Sequence, residues 1–357
     1  MVQRVSGTRS FSLALQVGLT YIGTVVGAGF ASGQEIYQFF GRFGVAGFLG
    51  VVLGVLLFAW VGYRVMGLGQ KLGATSYREL NTYLFGPRVG RWVDWLMTIM
   101  LFGVTVTMVA GAGALMEERL NWPYLLGTLL TIGITYGTLL RGMNGILRAN
   151  MVIVPTMISF ALAAAAQSLL HPGGGLQMLN FRTALPGPTW ITALLSAVLY
   201  VAFNTGLAIG VLLPLGASMP SIQVIRRGAC LGALGLGGMA TAVMVALDSH
   251  PDSRVYAIPM AHIATFLGPW MRWVFVFVLW GEIYSTLVAN VFALAAWLNP
   301  DNEKVKYWTY VFVLLVSLVV SLVGFTTMVR VAYPFFGWLC TFLVMTIVWH
   351  PWLEKSH

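Results

Sequence analysis

Apolar runs cut only by single charges and turn residues follow one another along almost the whole chain. A run of about 20 apolar residues is what an α-helix needs to cross the hydrocarbon of a bilayer. The runs fall near 12–39, 44–66, 92–116, 122–140, 145–168, 189–216, 228–247, 270–297, 307–324 and 328–350, so ten membrane helices are expected. The chain therefore reads as an all-α integral membrane protein, a single transmembrane domain over 1–357 surrounded by lipid bilayer. Composition removes the soluble alternative: 58% of residues are hydrophobic and 9% charged, against about 25% charged in soluble domains. The net charge of +9 does not indicate nucleic acid, because the basic residues stand singly or in pairs between apolar runs.

Those charges set an orientation. With the N-terminus inside, fourteen of the 20 Lys and Arg residues lie on inner segments and six on outer ones, which satisfies the positive-inside rule and puts both termini in the cytoplasm of a multi-pass cell-membrane protein. The first run follows Arg4 and Arg9 without a small-residue cleavage pattern, and reads as a retained span. The longest interruptions are 67–91 inside and 169–188 and 248–269 outside. The outer two are expected to form short surface helices or lids, one around Pro172-Gly173-Gly174-Gly175 and the other over Asp248 to Arg254 and Ala257 to Leu267. Cys230 and Cys340, each alone in an apolar run, read as packing residues.

Landmarks recur at one nearly constant offset, half the chain length: Tyr21 with Tyr200, Gly27 with Gly206, Gly103 with Gly281, Asn121 with Asn299 and Pro155 with Pro334. This suggests a duplication, repeat one over about 12–168 and repeat two over about 189–350. Five helices is an odd number, so the second copy enters the membrane from the opposite side and the repeat is inverted, as in many secondary transporters. Chance alignment of frequent Gly and Pro is the competing explanation.

Within the first run, Gly23-Thr24-Val25-Val26-Gly27-Ala28-Gly29-Phe30-Ala31-Ser32-Gly33-Gln34-Glu35 puts four glycines and several polar side chains at mid-span. Each glycine costs about 1 kcal/mol of helix stability relative to alanine. The sixth run has Phe203-Asn204-Thr205-Gly206-Leu207-Ala208 at the matching place, with Pro214 beyond. Both helices are expected to break there, exposing peptide groups that can hold a solute; unwound backbone inside a membrane is tolerated only when it is buried in protein or lines a cavity. Close helix packing through small residues is the alternative, since Gly23/Gly27 and Gly29/Gly33 have that spacing.

The eighth run carries Glu282, Ser285, Thr286 and Asn290 on one helix face. A carboxyl at that depth is costly unless it faces a cavity or a partner. Its oxygens, with the two hydroxyls and backbone carbonyls, suit a hard cation, and a Na+ site is expected; a protonated structural Glu282 and a proton-coupling Glu282 are the alternatives. Glu35 stands near the start of the outer half-helix, where it can cap the helix, act as a gate, or bind a substrate amine. Tyr21, Tyr200 and Tyr284 are candidates to line a cavity, and Asn204 and Thr205 either touch substrate or satisfy local backbone.

The nonapeptide Gly27-Ala28-Gly29-Phe30-Ala31-Ser32-Gly33-Gln34-Glu35, its place in the first span and the five-plus-five layout resemble the bacterial YkvI-like membrane proteins. These are similar to amino-acid permeases of the amino acid–polyamine–organocation superfamily, which has the LeuT-type fold. The resemblance implies that helices 1 and 6 are broken and that substrate lies against Val25, Gly27, Ala28, Gly29, Phe30 and Ala31 of one and Phe203, Asn204, Thr205, Gly206 and Ala208 of the other. It implies a Na+ site formed by the carbonyls of Gly23 and Val26 and the hydroxyls of Ser285 and Thr286. The chain departs at Phe30, where some relatives carry the asparagine of a second sodium site, which argues against a second sodium. Span five has Arg148 but no lysine of the kind some proton-coupled relatives place there, which favours sodium or protonation of Glu282.

The expected function is cation-coupled secondary transport of a small amino acid or related amine, with Na+ favoured over H+ and no other cofactor. A ligand sensor on a transporter fold, binding without net transport, is the alternative. An enzyme is not expected: Ser32 has no histidine at its depth, since His171, His250, His262, His350 and His357 fall at loops or ends, and no metal-ligand His pair or nucleotide-binding Gly-Lys-Ser/Thr motif occurs.

Overall fold

A computed structural model of the chain describes residues 7–74, 77–140, 144–170, 189–298 and 303–349. Its elements are α1 (Gly7–Val25), α2 (Ala28–Ala31), α3 (Gln34–Phe39), α4 (Val45–Leu72), α5 (Tyr77–Leu120), α6 (Tyr124–Leu139), α7 (Asn144–Leu170), α8 (Thr189–Ala217), α9 (Ile222–Ser249), α10 (Pro259–Ile263), α11 (Pro269–Leu298), α12 (Glu303–Ser321), α13 (Phe325–Thr327) and α14 (Tyr333–Trp349). No strand occurs among the described residues. Lipid offers backbone groups no partners, so each spanning segment must close its hydrogen bonds internally, and an apolar chain does that as helix.

Six helices are long and apolar enough to cross a membrane, and four shorter apolar helices, Ser10–Val25, Tyr124–Leu139, Pro155–Leu170 and Tyr307–Ser321, occupy the remaining expected spans. Their ends follow local chemistry. Gly73 stops α4 in the left-handed conformation (φ 59°), and the Ala74 N–H returns to the Gly69 carbonyl at 3.3 Å. The α5–α6 turn places Asn121 at φ 55°, a conformation asparagine tolerates better than most side chains. Ser221 caps α9 by accepting the Val224 N–H at 3.4 Å. Ahead of Pro334, whose ring nitrogen cannot donate, Met328–Ala332 widens into a π turn.

The inner interruption expected at 67–91 is mostly helical. The fourth helix continues to Leu72, and α5 begins at Tyr77 and kinks at Gly86 (φ 72°, ψ 172°) just before Pro87. The Pro172 to Gly175 turn, Asn299, both chain termini and the Arg148 side chain lie outside the described residues. The interruption after α9 forms a 3-10 turn (Pro251–Val255), the short helix α10 and a second 3-10 turn (Ala264–Leu267), the short helical pieces expected there.

In the bundle α4 packs on α8 and α9, α1 on α9, α14 on α8, and α5 on α11. The pairs α4–α8 and α1–α9 exchange when the first five spans are mapped onto the second five. Small residues allow this closeness: Gly69 lies against the Leu213 backbone and Gly216 against that of Met66, each without room for a Cβ. The Tyr21 hydroxyl donates to the Phe58 carbonyl at 2.9 Å and its ring lies over Gly62, so Tyr21 ties α1 to α4. Cys340 is buried in the core as expected, whereas Cys230 lies exposed on α9.

Candidate functional site

The first span breaks twice. Its initial helix closes with the Val26 N–H on the Ile22 carbonyl at 2.8 Å. Gly27 is extended (φ −121°, ψ −171°), α2 makes one turn, and Gly33 adopts φ 81° before α3 resumes. The Gly23 carbonyl in the last turn of α1 and the Val26 carbonyl just after it lie past the last closed helical ring and have no donor further along a helix. Ala28 to Ala31, expected as unwound backbone, are instead helical, closed by Ala31 N–H to Gly27 (2.9 Å) and Ser32 N–H to Ala28 (2.8 Å). The unusual dihedrals fall on glycines, and the alanines between them keep a helical turn. The Ser32 hydroxyl donates to the Gly29 carbonyl at 2.9 Å and accepts the Gln34 N–H at 3.3 Å, so it serves as a local brace.

The expected second break is absent. α8 runs uninterrupted from Thr189 to Ala217, through Phe203, Asn204, Thr205, Gly206 and Ala208 and past Pro214. Gly206 faces the Cys340 thiol, which a Cβ would overlap, and the Met100 methyl. That glycine is a contact between helices rather than a point of unwinding. Asn204 donates to its own helix, Nδ2 to the Tyr200 carbonyl at 3.0 Å, and Ala208 is fully buried in the core.

The interruption faces α11. A Cβ built on Gly27 would meet Thr286 Oγ1 at 4.0 Å, so the break faces one hydroxyl of α11. Ser285 Oγ donates to the Glu282 carbonyl at 3.2 Å. One turn before Thr286 on the same face, Glu282 is 2% exposed and its Oε1 has no hydrogen-bond partner; Asn290 Nδ2 has none either. Tyr284 turns away, bonded through its hydroxyl to Thr138 at 2.5 Å and stacked on Trp280. A set of hydroxyl, carbonyl and carboxylate oxygens is suited to a hard monovalent cation. Among the described residues no cluster of His, Cys, Asp and Glu could hold a transition metal.

A second polar group lies on the other side of the break. Glu35 folds back from α3 so that its carboxylate covers Gly29, whose Cβ would coincide with it. It faces the Tyr200 hydroxyl of α8 and lies within electrostatic range of Tyr333, which stands beside Thr107 of α5. Yet neither Glu35 Oε2 nor the Tyr200 hydroxyl closes a well-formed hydrogen bond. Phe203 supports the group, its ring 4.4 Å from that of Tyr333. Tyr333 and Thr107 escaped sequence reading; the repeat landmark Pro334, next to Tyr333, was the available signal.

Exposure across the site is asymmetric. Gly23, Thr24, Gly27, Thr286 and Asn290 are partly exposed, whereas residues 28–36 are all buried. Over them sits α10: the Met260 N–H donates to the Ser32 carbonyl at 3.0 Å and its side chain covers Gly33. The lid is tied laterally by Ala257 N–H to Glu118 Oε1 at 2.8 Å, by Arg254 to Asp248 at 3.4 Å, and by His262 to Asp252 at 3.0 Å. The His262 hydrogen bond holds the Asp252 carboxyl below the usual carboxylate range. Beside Tyr200, Phe30, Phe40 and Phe58 line a small, mostly apolar cavity of about 10 Å³. A larger groove among α4, α8 and α14 is lined by apolar side chains and Thr341 and touches none of these polar groups.

No protein-family model matches the sequence. The uncharacterized membrane protein YkvI of Bacillus subtilis (strain 168) is 33% identical over 331 residues, covering 91% of this chain and 92% of the relative. The uncharacterized protein YyaD of the same organism is 26% identical over 341 residues, covering 94% and 96%. Among solved structures, MhsT in complex with L-phenylalanine aligns with a TM-score of 0.66 at 16% identity, over 92% of this chain and 87% of that one. A Na+-coupled sialic acid symporter aligns at 0.62 and 13%, over 94% and 79%. A manganese transporter of Eremococcus coleocola aligns at 0.63 and 10%, over 97% and 80%. The fold is thus the LeuT type expected from the sequence, here with the first helix interrupted and α8 continuous. Sharing a third of its residues with YkvI along nearly the full length of both proteins, the chain belongs to the YkvI family of multi-pass membrane proteins.

Proposed function

We propose that the chain is a secondary active transporter of a small solute, an amino acid or related amine, coupled to a cation with Na+ favoured over H+. The observation that carries this reading is the interrupted first helix at Val26–Gly27, set against Thr286 inside a buried bundle. Peptide groups released at mid-membrane are costly unless they bind something or line a path. The closed lid on one side of the break and the partial exposure on the other are what one state of an alternating-access cycle requires.

In this reading the Gly23 and Val26 carbonyls, Ser285, Thr286 and Glu282 hold Na+. The solute lies against Val25 to Ala31 and the face of α8 that carries Phe203. Thr205, whose buried hydroxyl has no partner, and Asn204 complete that wall. Binding of both cargoes lowers the cost of the released carbonyls and the buried carboxyl, so the loaded and empty carriers differ in which opening they favour. Nothing in this reading breaks a covalent bond, and no residue is assigned a catalytic role.

Purified protein in proteoliposomes, given amino acids and amines under imposed Na+ or H+ gradients, should accumulate at least one solute under one of them. Absence of uptake under both gradients across the panel overturns the proposal. The continuous α8 favours a second reading, a ligand sensor without net transport, because one of the two expected hinges is missing. Saturable binding without flux would select it.

A further inference from the structure

A carboxylate buried in a membrane bundle must be neutralised by a proton or a cation, and no basic side chain of the protein pairs with Glu35 among the described residues. The ion pairs found there join Arg119 to Glu118, Arg254 to Asp248 and His262 to Asp252, all elsewhere. Glu35 is only 5% exposed, its Oε2 is unpartnered, and the hydroxyl it faces, that of Tyr200, is 1% exposed in its residue and unpartnered too. Aromatic rings complete the surroundings. Tyr200 packs against Phe39 and Phe40 with centroids 5.1 and 5.0 Å apart, and Tyr333 lies on Phe203. A carboxylate beside aromatic rings, with water excluded, is chemistry that selects an organic ammonium: the carboxylate accepts its N–H donors and the ring faces attract its charge.

Position adds a second restriction. The Glu35 carboxylate lies directly on Gly29, within the Val25 to Ala31 segment proposed to face the solute, so a solute carboxylate entering that space would meet a negative group already there. Two carboxylates in that space would repel each other in a medium of low dielectric constant.

We propose that Glu35, with Tyr200 and Tyr333, forms the subsite for the ammonium group of the solute, and that the solute is an amine without an adjacent carboxylate. This rests on the transporter reading and narrows its substrate class.

The test uses the purified full-length chain, with binding read by titration calorimetry and by thermal shift, in sodium and in potassium. The probes are three matched sets: ethylamine, alanine and propionate; 3-methylbutylamine, leucine and 4-methylpentanoate; phenethylamine, phenylalanine and 3-phenylpropionate. In at least one set the amine should bind about tenfold or more tighter than its amino acid and its acid, because charge-assisted hydrogen bonds discriminate by at least that factor. Glu35→Gln should weaken that amine by about tenfold to a hundredfold while leaving the sodium-induced thermal shift unchanged. Should Glu35→Gln fail to fold, Tyr200→Phe, which keeps the ring, must weaken the amine and leave the sodium shift in place. Equal or tighter binding of an amino acid or acid, undiminished amine binding in the variant that folds, or no binding of any amine each overturns the subsite. Loss of the sodium shift in Glu35→Gln would make Glu35 an ion ligand and overturn it as well. Uptake of a carboxylate-bearing solute by proteoliposomes would then leave the transporter reading standing without the subsite. Amine binding with no flux under either gradient would remove transport and keep the subsite.

Discussion

Glycine does three different jobs around the break, and substitutions separate them. Gly33 needs its left-handed dihedral and would also press a Cβ to 2.7 Å from Met260 Cγ. Gly33→Ala should therefore destabilise the protein by about 1–2 kcal/mol in thermal unfolding. Adding Met260→Ala should recover the steric part and leave the dihedral part. At Gly206 the dihedral is ordinary and only the Cys340 thiol stands in the way. Gly206→Ala should cost about 1–3 kcal/mol by overpacking, and the Gly206→Ala, Cys340→Ala double variant should regain most of it; a purely additive double variant would contradict the contact. Gly29 is the third case, its missing Cβ being the space that the Glu35 carboxylate fills.

At the scale of the element, the two helices compared in the repeat behave differently although both carry glycine and polar residues at mid-span. The first has Gly27 and Gly33 at the points where its direction changes, and the single turn between them is held by a serine brace. The sixth has one central glycine in tight contact with α14, and its asparagine is spent on its own ladder. A helix facing a close neighbour loses packing when it unwinds, whereas the interrupted strand of α1 and α2 is covered by α10 and α11. Filling the break should act on binding more than on folding. A Cβ on Gly27 meets only Thr286 Oγ1 within 4 Å, so for Gly27→Leu we expect a protein that still folds with abolished solute and sodium shifts. Unaltered affinity in that variant would place the site elsewhere.

For the whole molecule, function turns on how the ion and the lid are coupled to the bundle. Glu282→Gln should change the sodium or pH dependence of uptake while the protein still folds, because the side chain has no protein partner to lose at Oε1; uptake with unchanged dependence on both would remove Glu282 from the mechanism. The lid contact of Asp252 with His262 is peripheral, since the Asp252 side chain is 63% exposed. A depressed carboxyl pKa means the folded state favours the charged form, so this contact helps above the ordinary aspartate range and is lost as pH falls below about 4. Solvent screening keeps its worth small, so Asp252→Asn should leave the thermal midpoint at pH 7 nearly unchanged. Faster hydrogen exchange over residues 251–267 on acidification should vanish in that variant.

Hydropathy determined that this chain crosses a membrane as helices and roughly where each crossing lies, and the four glycines from Gly23 to Gly33 marked the first crossing as weakened; lipid supplies no backbone partners, so long apolar runs leave no other solution. Tertiary structure decided whether a mid-span glycine unwinds a helix or brings a neighbour close, because Gly27 and Gly206 are the same residue facing different neighbours, an open approach to Thr286 against the Cys340 thiol. It decided, too, that Glu35 turns back onto Gly29 and faces Tyr200, with Tyr333 within electrostatic range. Side chains far apart in sequence acquire a common environment only when the helices carrying them pack.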